Sequence, residues 1–252
     1  SFLINYYYAS IGVLPRDNFV LYNGGYKVLN GYIPFNDYWL VTGPLLDYLN
    51  AFFFIIGGVS WKTYIIHSSI FNSIISLSLY FLLINLSLKK VWCFFYSILF
   101  SVLMYSVVGT PFVDHHSTIF LILAFFLLVH GFNTNNYSYF IAIPFLLTLS
   151  FLSKQTPAAY GIIGISIAII FHIFLNKKFT KLILLKLING SLFALLFLFL
   201  FFYLTKININ NFFEQYIAFA STIGDHRLEH YNFNLIDIII KYKFISIIIS
   251  IL

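Results

Sequence analysis

The sequence predicts an all-α integral membrane protein, a multi-pass helical bundle with a long first extracytoplasmic loop that carries interfacial helices. The 252 residues are 61% hydrophobic and only 9% charged, whereas a soluble domain has about 25% charged residues. Several apolar runs reach the length of about 20 residues that crosses a bilayer. The composition excludes disordered, collagen-like, coiled-coil and disulfide-stapled proteins, and the single cysteine excludes a disulfide within the chain.

The apolar runs predict about seven or eight membrane helices. In chain order, we expect the end of a first helix, six further helices and the start of an eighth near Ile236 or Phe244. The first seven ranges are 1–14, 64–88, 91–108, 117–131, 139–152, 158–175 and 182–204. Because residue 1 is not Met and the last residues lie within an apolar run, we expect one domain over 1–252, truncated at both ends.

Charge divides the loops between two sides of the membrane. Lysine clusters lie at 89–90 and 177–186, and clusters of this kind mark cytoplasmic loops. The remaining loops are then extracytoplasmic, at 15–63, 109–116, 153–157 and 205–234. All carboxylates except Asp237 fall in these loops, which agrees with an assignment made from lysines alone. The net charge of +6 therefore indicates membrane topology, and no nucleic acid partner is expected.

The first outer loop, 15–63, is too long for a simple connection and is rich in Gly and aromatic residues. Its apolar segment 44–54 is too short to span a bilayer and predicts an interfacial or re-entrant helix. Residues 17–29 predict a second short helix. Asp17 would lie at its N-terminus, where negative charge is favoured, and Gly31 past its end. Such a loop suits a lipid substrate.

Four polar clusters fall in the outer loops. They are Arg16-Asp17-Asn18, then Pro34-Phe35-Asn36-Asp37-Tyr38-Trp39 followed by Thr42-Gly43-Pro44, then Asp114-His115-His116, and last Lys154-Gln155-Thr156. Charged groups near a membrane are costly and often mark a function, although each one alone could be an interfacial anchor or a helix cap. Four clusters on the same side favour a functional site.

The first outer loop also carries a longer pattern. It consists of Asp17, Tyr22 and Gly25, then Leu29-Asn30-Gly31-Tyr32-Ile33-Pro34-Phe35-Asn36-Asp37-Tyr38-Trp39, Gly43-Pro44-Leu45 and Tyr48-Leu49. This pattern resembles the first outer loop of the GT-C membrane glycosyltransferases, in the branch of the bacterial protein O-mannosyltransferases and the lipid A aminoarabinose transferase. With Asp114 and the run 153–156, the resemblance covers about the first 160 residues. Many relatives carry two adjacent carboxylates at the first position, where this chain has Asp17 and Asn18, and Phe35 replaces a common Tyr.

The resemblance implies an inverting glycosyltransferase in a bacterial plasma membrane, with its active site on the extracytoplasmic face. Sugar would pass from a polyprenyl-phosphate donor to a hydroxyl of a lipid, glycan or protein acceptor. Asp17 is the candidate base that deprotonates the acceptor. Lys154 is the candidate cation for the leaving phosphate, with Arg16 and Arg227 as lesser candidates.

Further residues are candidates for supporting roles. Asp37 and Asp114 could orient Lys154, bind sugar hydroxyls or hold a divalent cation, although no cofactor is required. The candidate substrate-binding residues are Arg16, Lys154, Gln155, His115, His116 and Tyr38. Each has a structural alternative: Asp37 could cap a turn, the two histidines could be polar residues at a helix start, and Tyr38 could belong to the aromatic belt.

Two other functions are open on the sequence alone. A transporter or flippase for a lipid-linked or polar solute could use the same outer acids for binding, although no internal repeat is visible. The run His226-Arg227-Leu228-Glu229-His230 matches a zinc peptidase pattern. In this pattern the imidazoles of His226 and His230 bind zinc and the carboxylate of Glu229 is the base. A third ligand is not evident, so a polar loop is the preferred interpretation of this run.

Overall fold

The computed structural model describes residues 1–104, 107–175 and 180–223, together with Ile236, Ile240 and Lys243. The α-helices in these ranges are α1 (Phe2–Ala9), α2 (Pro15–Leu29), α3 (Leu45–Gly57), α4 (Trp61–Asn85), α5 (Lys90–Leu103), α6 (Val113–Thr134), α7 (Ala142–Ser153), α8 (Gln155–Leu175), α9 (Thr180–Thr205) and α10 (Ile209–Phe212). A π-helical turn, Phe213–Ala218, continues α10. The described residues contain no β-strand, so the all-α prediction is confirmed.

Four helices are long and apolar enough to cross a membrane, judged by length and composition. They are α4, α6, α8 and, from Lys181, α9. By contrast, α5 has 14 residues and α7 has 12. At about 1.5 Å per residue, these two helices fall short of the hydrocarbon thickness of about 30 Å. The predicted number of seven or eight membrane helices therefore stays a prediction.

Two predicted helices end earlier in the structure than in the sequence prediction. The first helix ends at Ala9 rather than at residue 14, and α2 begins at Pro15. Leu14 is extended, with φ −99° and ψ 99°, because a residue before proline is disfavoured in helical geometry. The third helix ends at Leu103 rather than at 108; Val108, with φ 52°, is not helical. The predicted eighth helix lies outside the described ranges.

The two short helices of the first outer loop are confirmed. They are α2, with Asp17 in its first turn, and α3. A side-chain Cβ at Gly24 would lie 2.3 Å from Oδ1 of Asp47, so the absence of a side chain there lets α2 lie against α3. Past the end of α2, Gly31 has φ +85°, which glycine adopts without steric cost.

The helix ends form two groups. The predicted outer loops meet at one end of the bundle, which we call the loop end. Hydrogen bonds join them there: Asn18 Nδ2 to Thr110 Oγ1, Gly43 N to Ser153 O (3.1 Å) and Asn36 Nδ2 to Lys206 O (3.0 Å). At the opposite end, Asn133 Nδ2 donates to the Asn85 carbonyl at 3.1 Å and so joins the ends of α6 and α4. The sorting of loops into two groups agrees with these contacts.

Candidate functional site

An ion pair joins two of the predicted clusters at the loop end. Nζ of Lys154 lies 2.9 Å from Oδ2 of Asp114, and the two side chains are 29% and 44% exposed. Asp114 occupies the first turn of α6, where the helix dipole favours a carboxylate. Lys154 is the extended residue between α7 and α8. The pair is therefore partly exposed to solvent, and it lies where the ends of α6, α7 and α8 meet.

Two buried serines position this pair. Ser117 Oγ and Ser150 Oγ are 2.8 Å apart, between α6 and α7. The hydroxyl of Ser117 also donates to the main-chain carbonyl of Lys154 at 3.2 Å. Small hydroxyl side chains allow two helices to pack closely and to hydrogen-bond across their interface. The sequence around Lys154 thus fixes its backbone against the helix that carries Asp114.

Asp17 lies on the surface of the loop end. Both Arg16 and Asp17 are exposed at the start of α2. Within the described part of the chain, the Asp17 carboxylate accepts no hydrogen bond and forms no ion pair. Its oxygens are therefore not engaged by any described residue.

Asn18 points the other way and is completely buried. Its Oδ1 accepts from the Leu14 N–H at 2.9 Å, and its Nδ2 donates to Thr110. A carboxylate at position 18 would be buried beside this hydroxyl and could not face solvent together with Asp17. The fold therefore gives the two positions different surroundings, with Asp17 exposed and Asn18 buried.

Asp37 caps a turn in the first outer loop. Its Oδ2 accepts from the Ile33 N–H at 2.6 Å, and its own N–H donates to the Ile33 carbonyl at 2.9 Å. The side chain is exposed. This contact fits the structural alternative from the sequence, while a catalytic role for Asp37 stays a prediction.

Tyr38 is held by two neighbours rather than projecting freely. Its hydroxyl donates to Oδ2 of Asp47 at 2.7 Å, and Nζ of Lys27 lies 4.5 Å from its ring centroid, a cation–π contact. Burial, followed by the nearby Asp47 carboxylate, raises the pKa of Tyr38 above its usual range. One ring face and the hydroxyl are thus already in use, which limits the part that Tyr38 can take in sugar stacking.

Asp47 is a residue of this site that the sequence did not single out. It is 2% exposed, and burial raises its pKa to about 7, although the Tyr38 hydroxyl and Lys27 act in the opposite direction. The available signal was a carboxylate within the apolar run of α3. What the pattern could not show was its contact with Gly24 of α2.

Gln155 links the loops around the ion pair. Its Nε2 lies 3.4 Å from the Val41 carbonyl and 3.2 Å from the Tyr216 carbonyl. The buried Oε1 has no hydrogen-bond partner among the described residues. The side chain therefore joins the first outer loop to the segment after α9.

The two predicted histidine ligands point into the bundle. His115 Nε2 donates to the Met104 carbonyl at 2.7 Å, and His116 Nδ1 donates to the Phe112 carbonyl at 3.0 Å. Their exposed fractions are 9% and 0%. Both imidazoles therefore bind main-chain carbonyls of the protein itself, and a substrate-binding role for them stays a prediction.

The remaining candidates lie in a segment after α9 and stay predictions. Arg227 and the pattern of His226, Glu229 and His230 lie outside the described residues. Within the described residues, no group of three or more His, Cys, Asp or Glu side chains could hold a metal ion. Two cavities lie among the helices, one between α1, α4 and α5 and the other between α4, α6 and α7, and neither is lined by Asp17 or Lys154.

Comparison with known proteins returned no match: no family model, no curated protein and no solved structure is similar to this chain. The GT-C resemblance of the first outer loop therefore stays a prediction from its residues.

Proposed function

We propose that this chain is a multi-pass membrane glycosyltransferase of the GT-C class, with its active site at the loop end, on the extracytoplasmic face. The observation that carries the proposal is the half-exposed Asp114–Lys154 ion pair, at the end of the bundle where the exposed Asp17 also lies. A fixed cation and an unengaged carboxylate are the two groups that transfer from a phosphate-linked sugar needs.

Lys154 suits the leaving phosphate. One carboxylate oxygen contacts its ammonium group, and an ammonium group has three N–H donors. Two donors can therefore turn to a phosphate oxygen while Asp114 keeps the side chain in place. In the proposed reaction the bond between the anomeric carbon and the phosphate oxygen breaks, and its electron pair stays on the phosphate, beside Lys154.

Asp17 suits the acceptor. As the acceptor oxygen bonds to the anomeric carbon, its proton passes to the Asp17 carboxylate. Charge balances because the negative charge of Asp17 is replaced by that of the departing polyprenyl phosphate. Gln155, Asp37 and Tyr38 shape the surrounding loops through the contacts described above. The protein requires no metal for this division of roles, although a divalent cation beside Asp114 is compatible with it.

The test measures release of polyprenyl phosphate by protein in membranes supplied with a panel of polyprenyl-phosphate sugars. Asp17→Asn should reduce release by about 100-fold or more, since a positioned general base contributes about 10²–10⁴. The matched control is Glu214→Gln, which removes another exposed carboxylate and should leave release unchanged. Full activity in Asp17→Asn would overturn its role as the base.

In the same assay, Lys154→Ala should lower the rate of donor turnover, while the free energy of unfolding should change little. A half-exposed ion pair contributes only about 0–1 kcal/mol to folding, so thermal unfolding should change little. Lys154→Arg keeps a cation that binds phosphate and should recover part of the activity. Unaltered donor turnover in Lys154→Ala would exclude the phosphate role.

A further inference from the structure

Two buried histidines face one another where three helices meet. His67 on α4 and His116 on α6 are both completely buried, and their Nε2 atoms are 3.1 Å apart. Nδ1 of His67 lies 2.8 Å from Oδ1 of Asn50 on α3. None of these contacts belongs to the proposed transferase site.

Main-chain carbonyls close both ends of this chain of contacts. Nδ2 of Asn50 donates to the Leu21 carbonyl at 3.1 Å, so the other amide atom, which faces His67, is the oxygen. Nδ1 of His116 faces the Phe112 carbonyl at 3.0 Å. A carbonyl oxygen only accepts hydrogen bonds. Both Nδ1 atoms must therefore carry protons.

A proton count then shows that the chain is incomplete when both imidazoles are neutral. From the Leu21 carbonyl to the Phe112 carbonyl there are four contacts, and each requires one proton. The amide of Asn50 supplies one along this path, and each neutral imidazole supplies one more. One contact is left with two acceptors. With both Nδ1 atoms protonated, that contact is the one between the two Nε2 atoms, where two lone pairs would face each other.

We propose that His67 and His116 form a proton-binding site, in which one additional proton is shared between their Nε2 atoms. The fourth proton completes all four hydrogen bonds and gives the pair a single positive charge. The separation of 3.1 Å is that of an N–H···N hydrogen bond. A metal ion is disfavoured because the described residues offer no third ligand.

Aromatic rings offset part of the cost of burying this charge. The His67 ring is stacked on Phe53, with centroids 4.3 Å apart and planes 17° apart, and the His116 ring lies 4.6 Å from Phe71. The face of an aromatic ring attracts a cation within about 6 Å, and more strongly away from water. Desolvation opposes the charge, whereas the completed hydrogen bonds and the aromatic rings favour it.

No opposite charge contacts the pair among the described residues. The titratable neighbour is His115 of α6, whose ring centroid lies 5.8 Å from that of His116. On α4, the Tyr64 hydroxyl donates to main-chain carbonyls, and on α3, Asp47 is bonded to Tyr38. Among the described residues, the shared proton is thus the only charge at this three-helix contact. Its loss would leave two lone pairs facing each other and weaken the contact between α4 and α6.

Nitrogen NMR of the imidazole rings tests the site directly. The chain has 7 histidines, and the variant H130Q/H172Q/H226Q/H230Q keeps only His67, His115 and His116. Labelled with ¹⁵N on its imidazoles and placed in nanodiscs at pH 7, it should show four protonated ring nitrogens out of six, and a ¹⁵N–¹⁵N coupling across the Nε2 pair. Three protonated nitrogens, or no coupling, would overturn the proposal.

Wild-type protein supplies an independent check if that variant does not fold. In native protein labelled in the same way, the four ring nitrogens of His67 and His116 should carry three protons, one more than two neutral imidazoles carry. Elemental analysis should find no bound metal. A stoichiometric metal that His67→Gln removes, while His130→Gln retains it, would replace the proton and overturn the proposal.

Discussion

The surroundings of the Asp47 carboxyl are determined by contacts that its neighbours in the sequence do not reveal. It lies in the apolar helix α3, against the bare backbone of Gly24, with its carboxylate on the Tyr38 hydroxyl. Lys27 is the nearby cation that favours its ionised form. An isolated carboxylate in an apolar run would be costly, and these partners offset only part of that cost.

Asp47 should make the stability of the protein depend on pH. Because burial raises its pKa to about 7, from 3.8 for an exposed carboxyl, the folded chain holds the proton more tightly than the unfolded chain. This contribution is complete below about pH 4 and is lost as pH rises through about 7. The free energy of unfolding in detergent should therefore decrease as the pH rises from 4 to 7. The decrease should be at most about 1.4 kcal/mol per pH unit.

The variant Asp47→Asn isolates this effect. Its amide oxygen can still accept the Tyr38 hydroxyl, but it has no carboxyl to titrate, so the decrease in stability over that window should disappear. Asp37→Asn removes an exposed carboxyl and should keep the wild-type profile. A wild-type profile that is flat between pH 4 and 7 would contradict the assignment.

At the scale of helices and loops, local signals in the sequence predicted the helices better than they predicted the contacts between them. Apolar length predicted α3, and the helix-start carboxylate with the later glycine predicted α2. Local signals failed where the chain bends: the break before Pro15 and the positive φ of Val108 both interrupt apolar runs that look continuous in the sequence. Hydrophobicity reports burial in a bilayer or core, and not the backbone angles within the run.

Gly43 is an element-scale feature that can be tested by adding one methyl group. A Cβ at Gly43 would lie 1.9 Å from the Leu152 carbonyl oxygen, a main-chain atom that cannot move aside easily. Gly43→Ala should therefore destabilise the protein by about 1–3 kcal/mol or more. Because the Gly43 N–H bonds to the Ser153 carbonyl, next to Lys154, sugar transfer should fall as well.

The matched control for this variant is Gly164→Ala in α8. A Cβ at Gly164 meets no atom within 4 Å, and Ala is favoured over Gly within a helix by up to about 1 kcal/mol. This variant should be as stable as wild type or slightly more stable. Equal unfolding midpoints for the two variants in detergent would show that the approach of the first outer loop to α7 is not tight.

At the scale of the whole molecule, charge and hydropathy predicted which loops share an end. Their contacts agree: Asp114 meets Lys154, and the first outer loop meets Ser153. The pairing of particular side chains could not be predicted, because it depends on how far each helix is rotated and shifted against the next. Asn18 is an example, since its buried bond to Thr110 has no counterpart in the local pattern.

The orientation of the bundle in a membrane gives the last prediction. The loop end should face outwards, because the lysine-rich connections lie at the opposite end. In a Cys93→Ala background, which lacks the single and buried native thiol, Asn23→Cys should react with a membrane-impermeant maleimide on intact cells. Asn85→Cys, an exposed position at the opposite end, should react only after permeabilisation. The reverse pattern would place Asp17 in the cytoplasm and exclude an extracytoplasmic transferase. Reaction at both positions in intact cells would show that the chain does not separate two compartments.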